Sequence, residues 1–208
     1  MMSWIEEHWP KSTIFLAVYS TILIFLFVLK IDIALFLIWI QLPIYWLHQF
    51  EEYVFPGGFI ETFNRQILGS NEKEWPMSKR ASFWINIPII YIAFPLSAIL
   101  AGTIDISIGI WTAYFSILNA TSHVGMFLIK WKYNPGFFVS AFLNIPVGVF
   151  TVWYFYSNGA ISVFGHLIGV LVAVAVQGGL MVWGLKFMRT KVKEKGNGAK
   201  TYPLPEAP

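Results

Sequence analysis

The sequence predicts an all-α fold: a polytopic transmembrane helical bundle of about six helices, with both termini cytoplasmic. Three observations carry that prediction. Hydrophobic residues make up 57% of the 208 residues and charged residues only 12%, about half the share of a soluble domain. The apolar residues fall in six long runs, each near or above the ~20 residues needed to cross a hydrocarbon core. When the runs are threaded alternately, every lysine and arginine except Lys30 falls on one side, and the positive-inside rule makes that side cytoplasmic.

The elements follow in order. Residues 1–11 form a short polar-aromatic lead. It has no basic n-region, and no A-x-A site follows the next apolar run, so no signal peptide is expected. Runs 12–30 and 31–55 are joined tightly at Lys30-Ile31-Asp32, a helical hairpin. The longest polar connection, 56–82, holds Asn71-Glu72-Lys73-Glu74 and Lys79-Arg80. Runs 83–102, 104–129, 137–156 and 160–187 complete the bundle, so residues 1–188 read as one transmembrane domain. The tail, 189–208, is basic and then rich in Gly and Pro, a composition expected to stay disordered. Ten tryptophans suit interfacial anchoring. The expected location is the inner (plasma) membrane, multi-pass, with membrane lipids and a hydrophobic small molecule as partners and no nucleic acid. Absence of Cys excludes disulfides, thiolate nucleophiles and Cys-ligated zinc.

Pro43, Pro88, Pro95 and Pro146 lie inside apolar runs, where proline kinks a helix and frees a carbonyl. A short repeat accompanies two of them. Ser82-x-x-x-Asn86-Ile87-Pro88 recurs as Ser140-x-x-x-Asn144-Ile145-Pro146, each after a helix with a histidine near its cytoplasmic end. A parallel duplication explains the match, and so does chance in an apolar sequence.

The chemistry-bearing stretch is His48-Gln49-Phe50-Glu51-Glu52. Positions i, i+3 and i+4 share a helix face, so His48, Glu51 and Glu52 lie together, and Gln41 extends that face backwards. Pro56-Gly57-Gly58 then ends the helix. Ionisable groups in a membrane segment are expensive and point to function. Depth gathers further candidates. His48 and His123 each lie roughly 10 Å from the cytoplasmic end of their helices, with Asn119 one turn deeper than His123. Asn86, Asn144 and Gln177 enter the same layer, so the faces could enclose one pocket open to the cytoplasmic side. His166, near the outer end of its run, reads as structural, and His8 as a surface residue.

These residues resemble a known set. His48-Gln49-Phe50-Glu51-Glu52 matches the motif of the HXXEE family of bacterial integral membrane proteins, and the further histidine and Tyr-x-Pro-Gly motif of that family are met in order by His123 and Tyr133-Asn134-Pro135-Gly136. The resemblance spans roughly residues 45–136 and implies a membrane domain with a metal-binding or enzymatic role and no assigned substrate. Tyr133-Asn134-Pro135-Gly136 is itself a turn, readable as a plain connector or as a lid with the Tyr133 hydroxyl as donor. His48-x-x-x-Glu52 also resembles the His/Glu pair of the emopamil-binding sterol isomerase family, as a mechanistic analogy.

Two readings of the chemistry follow. In the first, His48, His123 and Glu51 or Glu52 bind a divalent metal, zinc or iron, while the remaining glutamate acts as general base on a lipid or other hydrophobic substrate. In the second, Glu51 and Glu52 share a proton without metal and His48 is acid or base, as in an isomerase or cyclase. A transporter or binding protein using the same polar layer is a further alternative, but no clear inverted repeat supports it. Adjacent carboxylates point about 100° apart, so one glutamate is expected to face His123 and the other the interface.

Overall fold

A computed structural model describes residues 3–199, and no strand occurs among them. Seven helical segments run in chain order: α1 (Trp4–Val28), α2 (Ile33–Tyr53), α3 (59–68), α4 (Lys79–Thr103), α5 (Trp111–Lys130), α6 (Phe137–Ser157) and α7 (Val163–Gly196). All but α3 are long, and α1, α2, α4, α6 and α7 are both long and apolar enough to cross a membrane. The sixth long rod, α5, has 20 residues and carries a polar stripe that includes Thr112, Ser116 and His123 on its buried side. At 1.5 Å per residue it is still about 30 Å long. It sits centrally, packed against α6 and α7.

The lead does not stay outside the first helix. The Ser3 hydroxyl accepts from the Glu6 backbone N–H at 3.2 Å while the Glu6 carboxylate accepts from the Ser3 N–H at 2.7 Å, a capping box that starts α1 at Trp4. Glu6 then ties α1 to α4 through Trp84 Nε1 (3.1 Å) and Arg80 (3.1 Å). Inside the 56–82 connection, α3 forms and its Leu68 packs with Met77 and Met188. The tail also departs from expectation, since the helix continues from Arg189 to Ala199. It is held there by docking: Val192 packs on that apolar cluster, and Lys195 lies 4.5 Å over the Trp75 ring and pairs with Glu72. The remainder of the expected tail, 200–208, lies outside the described residues.

Two of the helix prolines, Pro88 and Pro146, are accommodated by widened turns. α4 opens to π-type turns over Ile87–Ala93 around Pro88, and α6 does so over Ser140–Asn144 just before Pro146. Two turns share a backbone conformation, out of register with the Ser-x-x-x-Asn-Ile-Pro repeat. Gly58 before α3 and Gly136 before α6 take nearly the same left-handed conformation, φ 93° and 96°, each preceding a phenylalanine that opens the next helix. α2 and α5, the helices before these turns, both run toward the end where the turns lie.

Aromatic packing holds the centre. Tyr45, Phe94, Trp111 and Phe115 form one buried cluster joining α2, α4 and α5. Below it toward the far end, Leu37, Ile38, Ala98, Ile110, Ala113 and Phe155 form a second.

Candidate metal centre

α2 delivers His48 and Glu52 one turn apart on its inner face, and α5 delivers His123 opposite them. All three are buried. Glu52 Oε1 lies 3.5 Å from His48 Nε2 and 3.4 Å from His123 Nε2. One ligand atom from each residue fits within a sphere of mutual distances below 4.8 Å, and the imidazole centroids are 4.8 Å apart at 81°. These contacts are long for charge-assisted hydrogen bonds, which run about 2.7–2.9 Å. Ligands held about 2.0–2.1 Å from one cation lie about 3.3–3.4 Å apart in a tetrahedral arrangement, a spacing close to both contacts.

The outer contacts fix how the rings present themselves. Asn134 Nδ2 donates to the His123 carbonyl at 2.9 Å, which turns Asn134 Oδ1 toward His123 Nδ1, also 2.9 Å away. An amide oxygen only accepts, so Nδ1 carries the proton and the Nε2 of a neutral ring keeps its lone pair for the centre. His48 Nδ1 meets the Ser140 hydroxyl at 3.3 Å, and His48 Nε2 is buried with no partner of its own. Gly136 makes this approach possible. A Cβ there would lie 2.7 Å from His48 Cε1 and 2.9 Å from His123 Cε1. The backbone of the turn thus presses on both rings. An orphaned inward nitrogen, an oriented second imidazole and a carboxylate between them are the donor set a divalent cation takes, so these residues fit one.

Glu51 does something else. Expected as an alternative ligand or an interfacial carboxylate, it is buried and turned away from the pair. Its Oε1 accepts from the Tyr133 hydroxyl (3.0 Å) and the Phe138 N–H (2.9 Å), and its Oε2 from the Val139 N–H (2.7 Å). It therefore caps the first turn of α6 across the chain, where a negative charge is favoured. Burial, then the charge of Glu51, holds the Tyr133 hydroxyl above its ordinary range, so it remains a donor. Tyr133-Asn134-Pro135-Gly136 is thus a brace with each polar or small residue assigned a contact, rather than a lid.

The other candidates divide. Asn86 is near the centre but fully engaged: it accepts from Gln49 Nε2 (2.8 Å) and donates to the Tyr53 hydroxyl (3.1 Å) and the Ser82 carbonyl (2.9 Å). Asn119 and Gln177 line a cavity of about 540 Å³ that Glu52 and His123 also border. Gln41 does not reach that cavity. Its Nε2 donates to Thr151 Oγ1 at 3.0 Å, tying α2 to α6 toward the far end, because a helix stripe does not say which neighbour it will meet. Asn144 is buried with both amide atoms unpaired and lies off the cavity. His166 is at the far end, bonded to the Tyr114 hydroxyl at 2.8 Å. Asn134, Ser140 and Gly136 are the site residues that reading the sequence missed as such. The turn motif contained two of them and the Ser-x-x-x-Asn repeat the third.

Neither the curated proteins nor the solved structures contain a match to this chain. A family model described as "Protein of unknown function with HXXEE motif" matches residues 39–151, which include α2 from Trp39, both turns, His123 and α6 as far as Thr151. Because that match covers more than half of the chain and contains every residue of the centre, the protein belongs to the HXXEE-motif family.

Proposed function

We propose that the protein is an integral membrane metalloenzyme in which His48, Glu52 and His123 bind a divalent cation, zinc or iron, beside a cavity for a hydrophobic substrate. The observation that carries this is the pair of 3.4 and 3.5 Å contacts of one Glu52 oxygen with two inward imidazole nitrogens. A bound cation would supply a Lewis acid and a water of lowered pKa. The chain's own residues do the rest. Asn134 and Ser140 orient the imidazoles, Gly136 closes the side away from the cavity, and the aromatic walls keep bulk water out. Glu51 is committed to three donors and braces α6 instead of moving protons. By the placement of its basic residues, the centre lies at the cytoplasmic side of the inner membrane.

The test is metal analysis of the purified protein. About one zinc or iron per chain is expected in wild type, falling at least tenfold in His123→Ala and Glu52→Gln, with a lower melting temperature on chelation. If no ion co-purifies and neither zinc nor anaerobic iron(II) raises the melting temperature, the metal is excluded and Glu52 between two imidazoles is left as a metal-free acid–base group.

A further inference from the structure

The cavity beside the centre is a channel with a direction. Phe115, Asn119, His123, Met126 and Lys130 of α5 all line it, a span of about 22 Å along the helix. Lys130 marks the mouth, where its ammonium donates to Gln66 Oε1 at 3.1 Å. The register of the neighbouring helices follows from their contacts. Gly169 of α7 abuts Ile110 and Tyr114 of α5, and the two helices run parallel, so Gln177 stands near the level of Asn119 and Leu180 near that of His123. Trp111 Nε1 donates to Ser97 Oγ of the antiparallel α4 at 2.8 Å, which brings Ile85 level with His123 and Ile89 level with Asn119.

Two features of these walls have no role in holding the centre. First, α4 and α7 face each other across the cavity and share no extensive interface among the described residues. On α7, Met181 and Trp183 line the cavity and are still 40% and 39% exposed. Both helices are long and apolar enough to cross a membrane, and in a bilayer an opening between them would look onto lipid. Second, the amides of Asn119 and Gln177 each keep a buried oxygen without a partner. An unpaired amide in apolar surroundings is costly until something hydrogen-bonds to it. Both lie about 6 Å, one helical turn, deeper than His123. No cationic side chain lines the cavity at that depth.

The geometry points to a bilayer lipid with a neutral hydroxyl- or amide-bearing head as the substrate, entering sideways between α4 and α7. The inference rests on the reading of Glu52 and His123 as the reaction centre. The chain of the lipid lies in the seam between Ile89 and Leu180 and continues into the membrane. The reacting group reaches Glu52 and His123, and a second hydrogen-bonding group about 6 Å away meets Asn119 and Gln177. Amides both donate and accept, and they select a neutral polar group over a phosphate, which would call for Arg or Lys.

The test uses the full chain in lipid nanodiscs with a long-chain fatty alcohol carrying a diazirine in its chain, followed by peptide mapping of the photoadducts. Adducts are expected on α4 at Ile85 to Ile89 and on α7 at Leu180 to Met181. They should fall at least tenfold in Leu180→Trp and in Ile89→Trp, two independent ways of filling the seam. Asn119→Leu with Gln177→Leu should weaken saturation by the probe about tenfold. Metal content should be unchanged in all of these variants. Adducts confined to outward residues such as Phe150 and Trp153, or cavity adducts undiminished in both tryptophan variants, would overturn the portal. Seam adducts in a wild-type protein that holds no metal would leave the portal standing and remove the metalloenzyme instead.

Discussion

Asn134 holds His123 at two points, accepting from its ring Nδ1 and donating to its backbone carbonyl, both at 2.9 Å. The double contact fixes ring tautomer and ring plane together. Asn134→Ala is therefore expected to lower metal affinity about 10–100-fold, the usual cost of losing such a support. Chelator competition on the purified variant measures this. An affinity equal to wild type would mean that His123 is oriented by something other than Asn134.

Gly136 and Gly58 offer a matched comparison. Both have φ above 90°, so alanine at either costs about 1–3 kcal/mol of backbone strain. Only at Gly136 would the new Cβ meet the two imidazoles, since at Gly58 the nearest atom is Pro135 Cγ at 3.9 Å. Both variants should melt lower than wild type, and only Gly136→Ala should lose its metal. Equal metal content in the two would detach the turn from the centre.

Glu51→Gln and Glu52→Gln should fail differently. Glutamine at 51 keeps one acceptor oxygen but turns an amide NH₂ toward the Val139 N–H, leaving a buried donor unpaired at a cost of about 1–3 kcal/mol. Its melting temperature should drop while metal binding persists. Glutamine at 52 removes the carboxylate between the imidazoles, so metal binding should vanish with a smaller effect on the metal-free melting temperature. Loss of metal in both, or in neither, contradicts this division of labour.

Reporter fusions test the orientation. Fusions at Asn71 and at the C-terminus should both read cytoplasmic, because among the described lysines and arginines Lys30 alone lies at the other end. A periplasmic signal at either would invert the side from which the centre is reached.

What the sequence made legible is what local geometry decides. The membrane-length helices follow from run length and hydropathy. The i, i+4 relation of His48 and Glu52 follows from helical period, and the pairing with His123 follows from equal depth below one end. Residues whose roles depend on a partner distant in sequence were harder to read. Glu51 carries the same charge and nearly the same depth as Glu52, and only the arrival of the α6 amides at its carboxylate separates them. Gln41 extends the polar stripe of α2 but is drawn to Thr151, 110 positions away. Asn134 and Ser140 act through their contacts with imidazoles on other elements, and no spacing rule encodes that. The basic tail reads as disordered because its composition hides the surface of Trp75 and Glu72 on which it docks.

The paired turns at Gly58 and Gly136 have a mechanical consequence. The chain reaches this end twice, up α2 to the Pro56-Gly57-Gly58 turn, then up α5 to the Pro135-Gly136 turn, and each ascent carries one imidazole. An ion gripped by both would act as a clasp between the two helices, and occupancy at a hundredfold over its dissociation constant would add about 2.7 kcal/mol to the stability of the folded chain. Emptying the clasp would leave the buried Tyr45–Phe115 packing and the Glu51 brace to hold this end closed, so ion supply would set how firmly α2 and α5 are joined there.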